Sequence, residues 1–212
     1  YSDEGTVRME GTTVSRCSVA WGVGGGVSNG GWGSIGSTES NQKGFTDSLG
    51  TGSLFMTDCL VEDCIGVRLG GGTFFSGNSA LGNVALVHFT DCTWRHNLAM
   101  GSLQTEGGGG VAGIEVVCIM TGCRIEENDA VNSNCGGLGL VDSTAVGTVK
   151  DCAFVRNKSK RWGSQMFFIG IVTVTRCTVQ GRADHNDYEC ELGGGCFIMS
   201  QDTTVRDSHF EG

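Results

Sequence analysis

The sequence has no proline, few basic residues and no long apolar run. Its 37 glycines without proline exclude collagen, which needs both residues in strict triplets. No run of about 18 apolar residues is present, so direct membrane insertion is not predicted. The 14 Lys and Arg residues against 23 Asp and Glu residues give a net charge of -9, which argues against a nucleic-acid partner. A hydrophobic fraction of 39% is too high for a disordered linker, so we expect the chain to fold.

The apolar period of a helix, about 3.6 residues, is also missing, and we expect very little helix. A repeat marked by cysteine takes its place, with copies 25 to 42 residues apart. The frame residues of its seven copies are Cys17, Cys59, Cys92, Cys123, Cys152, Cys177 and Ser208. Three residues earlier stand Val14, Met56, Phe89, Met120, Val149, Val174 and Val205. Two residues later stand Val19, Val61, Trp94, Ile125, Phe154, Val179 and Phe210.

This pattern predicts two short strands that meet at a corner in every copy. Side chains alternate along a strand, so the frame residue and its second neighbour share the inner face, while the residue three positions earlier has the opposite parity. The chain must therefore bend between them. A glycine cluster and a third apolar segment follow, such as Val111–Ile114 after Gly107–Gly110. One copy then describes one coil of a three-sided solenoid.

We therefore predict an all-β, right-handed, single-stranded parallel β-helix of about six to seven coils. Residues 1–212 are expected to form one solenoid domain, a fragment of a longer chain. The Gly- and Ser-rich segment 20–54 is expected to be a long lateral loop or an irregular coil.

Short motifs within the repeat resemble those of a known group of proteins. Phe154-x-x-Asn157 has looser versions at Trp94-x-x-Asn97 and Ile125-x-x-Asn128, and Gly-Gly pairs follow two of the three. In this the chain resembles polymorphic outer membrane proteins and similar pectin-lyase-like surface proteins. The resemblance implies a right-handed β-helix displayed outside the cell and used for adhesion or as a stalk.

The three asparagines of these motifs form a predicted internal ladder. Asn97, Asn128 and Asn157 would each lie at a corner, where asparagine tolerates left-handed φ. Their amides would pair with backbone groups of the coils above and below.

The cysteines are interpreted as core residues. Metal sites use tight pairs such as Cys-x-x-Cys, and the sequence contains none. Cys17, Cys59, Cys92, Cys123, Cys152 and Cys177 would stack on the inner face as small hydrophobic residues. Outside this ladder, Cys190 and Cys196 bracket a loop and either form a local disulfide or stay free. Eleven cysteines favour an oxidising compartment, although buried thiols do not require one.

Acidic loops provide the remaining chemistry. Weak calcium candidates are Glu126, Glu127, Asp129, Asp187 and Glu189. Two carboxyls on stacked coils would also suit glycoside hydrolysis if they lay about 5 to 10 Å apart in a groove. The alternative is a solvated ridge whose charges keep the coils soluble and in register. No catalytic residue, metal ligand set or cofactor is predicted.

Threonine arrays would suit a third role, ice binding. One set of positions holds Thr57, Thr90, Thr121 and Thr175, and a second holds Thr13, Thr148, Thr173 and Thr204. Only Thr173-Val174-Thr175 has both positions filled, so a two-column array is not sustained.

The sequence thus favours a non-catalytic structural or adhesive module of a larger extracellular or cell-surface protein or assembly. A pectin-lyase-like polysaccharide lyase or glycoside hydrolase is the first alternative, and an ice-binding β-helix is the second. The predicted partners are other protein subunits or further coils of the same protein, with glycans as an alternative.

Overall fold

A computed structural model describes residues 6–18, 25–29, 53–67, 70–77, 84–101, 108–132, 134–181, 195–199 and 202–211. Within these ranges the chain forms 24 strands, β1 to β24, and no helix. All strand pairs are parallel and join strands of successive coils. The predicted all-β parallel β-helix is confirmed.

Two long sheets contain seven strands each. Sheet A runs in the order β1 (Thr6–Glu10), β4 (Ser53–Thr57), β8 (Ala85–Thr90), β12 (Val116–Thr121), β16 (Val146–Lys150), β20 (Ile171–Thr175) and β23 (Thr204–Arg206). Sheet B runs in the order β2 (Thr13–Ser15), β5 (Leu60–Glu62), β9 (Thr93–Arg95), β13 (Arg124–Glu126), β17 (Ala153–Val155), β21 (Thr178–Gln180) and β24 (His209–Glu211).

Two further sheets complete the coils. Sheet C is narrow, with two-residue strands β6 (Ile65–Gly66), β10 (Leu98–Ala99), β14 (Asp129–Ala130) and β18 (Lys158–Ser159). Sheet D contains β3 (Val27–Asn29), β7 (Thr73–Ser76), β11 (Val111–Ile114), β15 (Leu138–Leu140), β19 (Met166–Phe168) and β22 (Cys196–Ile198). The sequence predicted three sides for each coil, whereas the structure has four. Sheet C was missed because strands of two residues are too short to show the alternation of inner and outer side chains.

Alternating side chains build the core. In β8 the side chains of Ala85, Val87 and Phe89 are fully buried, whereas the residues between them face outward. Trp94 of β9 is also fully buried and meets the Phe89 ring edge-on, with 4.8 Å between ring centroids. Its indole N–H donates to the hydroxyl of Thr73 at 2.8 Å, so the polar edge of the ring is satisfied inside the core.

The prediction that Cys17 aligns with Cys59 is wrong. Strand β2 pairs in register with β5, which puts Thr12 beside Cys59 and Cys17 beside Cys64. In the coil of Cys59 and Cys64, the corner after sheet A and the corner after sheet B have the same local pattern, an apolar residue followed three positions later by a cysteine. The sequence spacing alone therefore could not show which of these two corners Cys17 occupies. Val14 consequently belongs to the inner face of sheet B and not to that of sheet A.

The described residues of the segment 20–54 include β3 and the first two residues of β4. Within it, β3 pairs with β7 and so occupies an ordinary place in sheet D. Residues 20–24 and 30–52 lie outside the described residues, and a loop or an irregular coil there stays a prediction. Val19 lies outside the described residues as well.

Candidate functional site

A column of three asparagines runs along the corner between sheets B and C, and all three are at most 2% exposed. The backbone N–H of Asn97 donates to Oδ1 of Asn128 at 3.0 Å, and that of Asn128 donates to Oδ1 of Asn157 at 3.1 Å. The side-chain amides repeat these links at 2.9 and 3.0 Å. Each Nδ2 also donates to a backbone carbonyl of the preceding coil, at 2.9 to 3.0 Å. We call this set the asparagine column.

Both ends of the asparagine column are satisfied. At one end the backbone N–H of Cys64 donates to Oδ1 of Asn97 at 3.0 Å. At the other end Oε1 of Gln165, which is fully buried, accepts from Nδ2 of Asn157 at 2.7 Å and from its backbone N–H at 3.2 Å. Gln165 returns a bond from Nε2 to the Asn157 carbonyl at 3.1 Å. A glutamine eight residues further along the same coil thus completes the column.

Sequence reasoning missed Gln165, although one signal was present. The next copy of the motif reads Val179-Gln180-Gly181-Arg182, with arginine where the asparagine would stand. The next copy therefore offers no asparagine to accept hydrogen bonds from Asn157. A buried amide from elsewhere in the chain, that of Gln165, accepts them instead.

The left-handed conformation belongs to the residue before each asparagine. His96, Glu127 and Arg156 have φ of 55°, 54° and 50°, and the asparagines that follow them do not have positive φ. The expectation that asparagine itself takes this conformation is therefore wrong. The bend lies one residue earlier because the bending side chain points to solvent, which lets the asparagine point inward.

The Gly-Gly pairs pack directly against this column. A Cβ on Gly72 would lie 2.9 Å from Nδ2 of Asn97, and one on Gly110 would lie 3.0 Å from Nδ2 of Asn128. A Cβ on Gly137 would lie 3.2 Å from Nδ2 of Asn157. The Asn and Gly-Gly motifs are therefore two halves of one packing arrangement. They have a structural explanation that needs no ligand.

A second column, of thiols, follows the corner between sheets A and B. Its members are Cys59, Cys92, Cys123, Cys152 and Cys177, all free thiols and 1 to 3% exposed. Each Sγ donates to the carbonyl two residues earlier, at 3.1 to 3.4 Å. We call this set the thiol ladder. Cys17, which was predicted to belong to it, is a partly exposed neighbour of Cys64 at the other corner.

Burial keeps several of these sulfurs protonated. It raises the pKa of Cys59, and it raises the pKa of Cys64 to about 11. It also raises the pKa of Cys118, whose side chain lies in the core. A buried thiolate has lost its hydration, so these groups behave as small apolar side chains. Cys190 lies outside the described residues, and its disulfide with Cys196 stays a prediction.

Two of the calcium candidates make ion pairs on the surface. Glu126 accepts from Nε of Arg124 at 2.6 Å. Glu127 accepts from Nε2 of His96 at 2.8 Å and from Nη2 of Arg156 at 2.6 Å. Because His96 and Arg156 are bend residues of neighbouring coils, these charges line an outer corner of the solenoid. Their side chains are 37 to 52% exposed, so water reaches them freely.

The remaining candidates are not assembled into a site in the described part of the chain. Asp129 begins β14, next to Lys158 of β18. Asp187 and Glu189 lie outside the described residues. Among the residues that the structure covers, no group of three or more His, Cys, Asp or Glu side chains is placed to hold a metal ion. A calcium site stays a prediction.

The outer face of sheet A is mostly uncharged. Leu86, Val117, Val146 and Ile171 are in-register neighbours on four successive strands, and we call them the apolar stripe. Leu86, Val146 and Ile171 are 36, 40 and 48% exposed. Another column of this face contains Thr57, Thr90, Thr121, Lys150 and Thr175.

The threonine positions of the ice-binding alternative are only partly brought together. Lys150 interrupts the column of Thr57, Thr90, Thr121 and Thr175. Thr148, Thr173 and Thr204 are neighbours in a second column of sheet A. Thr13 lies in sheet B, because the register of the first coil differs from the predicted one.

Comparison with known proteins adds no family. No protein-family model, no curated protein and no solved structure matches this chain. None of the described segments is a helix with the length and apolar character to cross a membrane. The fold and its inner columns therefore define the class: an all-β parallel β-helix whose recognisable motifs are interior packing elements.

Proposed function

We propose that this chain is a non-catalytic structural or adhesive module of a larger extracellular or cell-surface assembly. Its relation to polymorphic outer membrane proteins and pectin-lyase-like proteins is part of the same proposal. The apolar stripe on sheet A is the observation that carries it.

The apolar stripe suits contact with another protein. The register places its side chains in one row across four strands that lie about 4.8 Å apart. Exposed apolar patches of this kind on soluble proteins commonly mark interaction sites. Thr148 and Thr173 flank the stripe on the two strands that contain Val146 and Ile171, and they add no charge to it. A neighbouring subunit that covers the stripe would gain roughly 25 cal/mol for each Å² of apolar surface removed from water.

The charged residues support the same proposal. Glu62 pairs with Arg95 at 2.7 Å, and Asp151 pairs with Arg176 at 2.7 Å. Each of these pairs joins successive coils across an exposed surface. A carboxylate held by a cation is a weaker proton acceptor, and water reaches these partly exposed side chains.

Two measurements test this proposal. The first incubates the chain with pectin, polygalacturonate, alginate and neutral glycans, with and without Ca²⁺, and follows reducing ends and unsaturated uronate ends. The proposal predicts no turnover. Turnover that disappears in Glu127→Gln would contradict it and favour the carbohydrate-active alternative.

The second measurement is sedimentation velocity over a range of concentrations. We expect the wild-type chain to self-associate through sheet A, and Val146→Lys with Ile171→Lys to abolish that association without loss of β-sheet signal. Thr178→Lys with Gln180→Lys places the same charge on the exposed outer face of sheet B and serves as the matched control. Equal association of the control and the sheet A variant would show that the apolar stripe is not a contact surface.

A further inference from the structure

The backbone places the five thiols of the ladder in register. In each coil a bend residue with positive φ ends the sheet A strand, the cysteine follows, and the sheet B strand begins. The cysteine carbonyl then accepts from the residue after the next cysteine. Thr93 donates to Cys59 and Arg124 to Cys92, both at 2.8 Å. The next two links, between Cys123 and Cys152 and between Cys152 and Cys177, are made in the same way at 2.9 Å.

The strand register makes each ladder cysteine the direct neighbour of the next one. Neighbouring ladder thiols influence each other's ionisation, Cys59 with Cys92, Cys92 with Cys123, Cys123 with Cys152, and Cys152 with Cys177. Neighbouring strands of a sheet lie about 4.8 Å apart, which falls within the Cα separation of about 4.4 to 6.8 Å found in disulfides. Adjacent members can therefore be bridged with little backbone movement, whereas members two coils apart cannot.

The local structure does not require sulfur at this position. At one end of the ladder Ser208 donates from Oγ to the carbonyl of Arg206 at 2.8 Å, and at the other Thr12 donates to the carbonyl of Glu10 at 3.0 Å. Both repeat the bond that each cysteine makes to the carbonyl two residues earlier. A hydroxyl thus satisfies the corner geometry, and five consecutive thiols supply a reactivity that the corner itself does not need.

We propose that the thiol ladder is a site of oxidative modification, at which small disulfide compounds convert neighbouring thiols into inter-coil disulfides. One cysteine thiolate attacks the small disulfide and releases one thiol, which leaves a mixed disulfide on the protein. The neighbouring cysteine loses its proton, attacks the protein sulfur of that mixed disulfide and releases the second thiol. Two protein thiols are oxidised by two electrons, and one small disulfide is reduced to two thiols.

Cys92 and Cys152 are the favoured positions for the first attack. The neighbouring thiol Cys123 lowers the pKa of both, Cys177 also lowers that of Cys152, and burial acts in the opposite direction. The ladder is 1 to 3% exposed at its corner, so the reagent enters by local opening of a coil and reaction is slow. Each product disulfide closes a loop of 25 to 33 residues and holds two coils together.

The odd number of thiols in the ladder limits how many disulfides can form. Only neighbours can pair, so five ladder thiols yield at most two disulfides and one remaining thiol. Loss of the middle member, Cys123, leaves two intact pairs and still allows two disulfides. Loss of Cys92 isolates Cys59 and leaves three neighbours, which allow only one disulfide.

The test uses hydroxyethyl disulfide on the folded chain of residues 1–212, followed by denaturation, alkylation of the remaining thiols and peptide mapping by mass spectrometry. Wild type should show two disulfides between ladder neighbours and a raised melting temperature. Cys123→Ala should also give two, and its matched partner Cys92→Ala should give one. Circular dichroism before treatment shows that each variant is folded. Cys123→Ser and Cys92→Ser replace any alanine variant that is not.

Three results would overturn the proposal. The first is that all five ladder cysteines of the wild type are recovered alkylated. The second is that the disulfides join non-neighbours or different molecules. The third is that the position 92 and position 123 variants yield the same number of ladder disulfides. The wild-type result stands whether or not a variant folds.

Discussion

Replacement of Asn128 by alanine is the sharpest perturbation of the solenoid interior. The asparagine side chain makes four hydrogen bonds: it accepts two from Asn97, and it donates one to the Trp94 carbonyl and one to Oδ1 of Asn157. At about 1 kcal/mol net for each bond, their loss costs about 4 kcal/mol. The backbone N–H of Asn97 would also be left buried without its acceptor, which makes this a lower bound.

Equilibrium unfolding in urea measures the effect. We expect Asn128→Ala to lower the free energy of unfolding by about 4 kcal/mol, while Lys150→Ala on the outer face of sheet A changes it by less than about 0.5 kcal/mol. Asn128→Asp should be at least as damaging at neutral pH, because its carboxylate would face the Trp94 carbonyl and the oxygen of Asn157. A loss of less than about 1 kcal/mol in Asn128→Ala would refute the claim that the asparagine column holds the coils together.

Three further predictions follow from the same geometry. A Cβ at Gly136 would overlap the backbone of the neighbouring coil, whereas one at Gly139 would have its nearest neighbour at 3.5 Å. Thermal unfolding should therefore show Gly136→Ala strongly destabilised and Gly139→Ala close to wild type. Gln165→Ala removes three buried hydrogen bonds at the end of the asparagine column and should cost about 3 kcal/mol in urea unfolding. The hydrogen bond from Arg176 lowers the pKa of Asp151, so this pair stabilises the fold at neutral pH and the contribution is lost as pH falls through the lowered pKa. In Arg176→Gln an NMR titration should show the carboxyl pKa raised towards its ordinary value, and an unchanged pKa would contradict the pairing.

The strands of sheets A, B and D could be predicted because each leaves a pattern in the sequence. Inner residues at fixed offsets from a cysteine mark the corner between sheets A and B, and glycine clusters precede sheet D. Sheet C could not be predicted in this way, since strands of two residues have no period. The first coil was misaligned by one corner because Cys17 and Cys59 follow equivalent local patterns.

The inner columns show what spacing can and cannot reveal. Asn97, Asn128 and Asn157 recur at the same frame position, so their stacking could be proposed from sequence. Gln165 comes from another part of the coil, and no frame position identifies it. The ion pairs that occupy Glu126 and Glu127 depend on which side chains are neighbours on adjacent coils, and that follows only from the register.

The central claim is that successive coils stack in register around buried side-chain columns. NMR measurement of solvent exchange at the side-chain amide protons of Asn97, Asn128 and Asn157 tests it most directly. We predict slow exchange for all three and cross-relaxation between the amide protons of consecutive members, because each amide is buried and hydrogen-bonded to the next. Fast exchange of these protons, at the rate of exposed asparagines, would contradict the account.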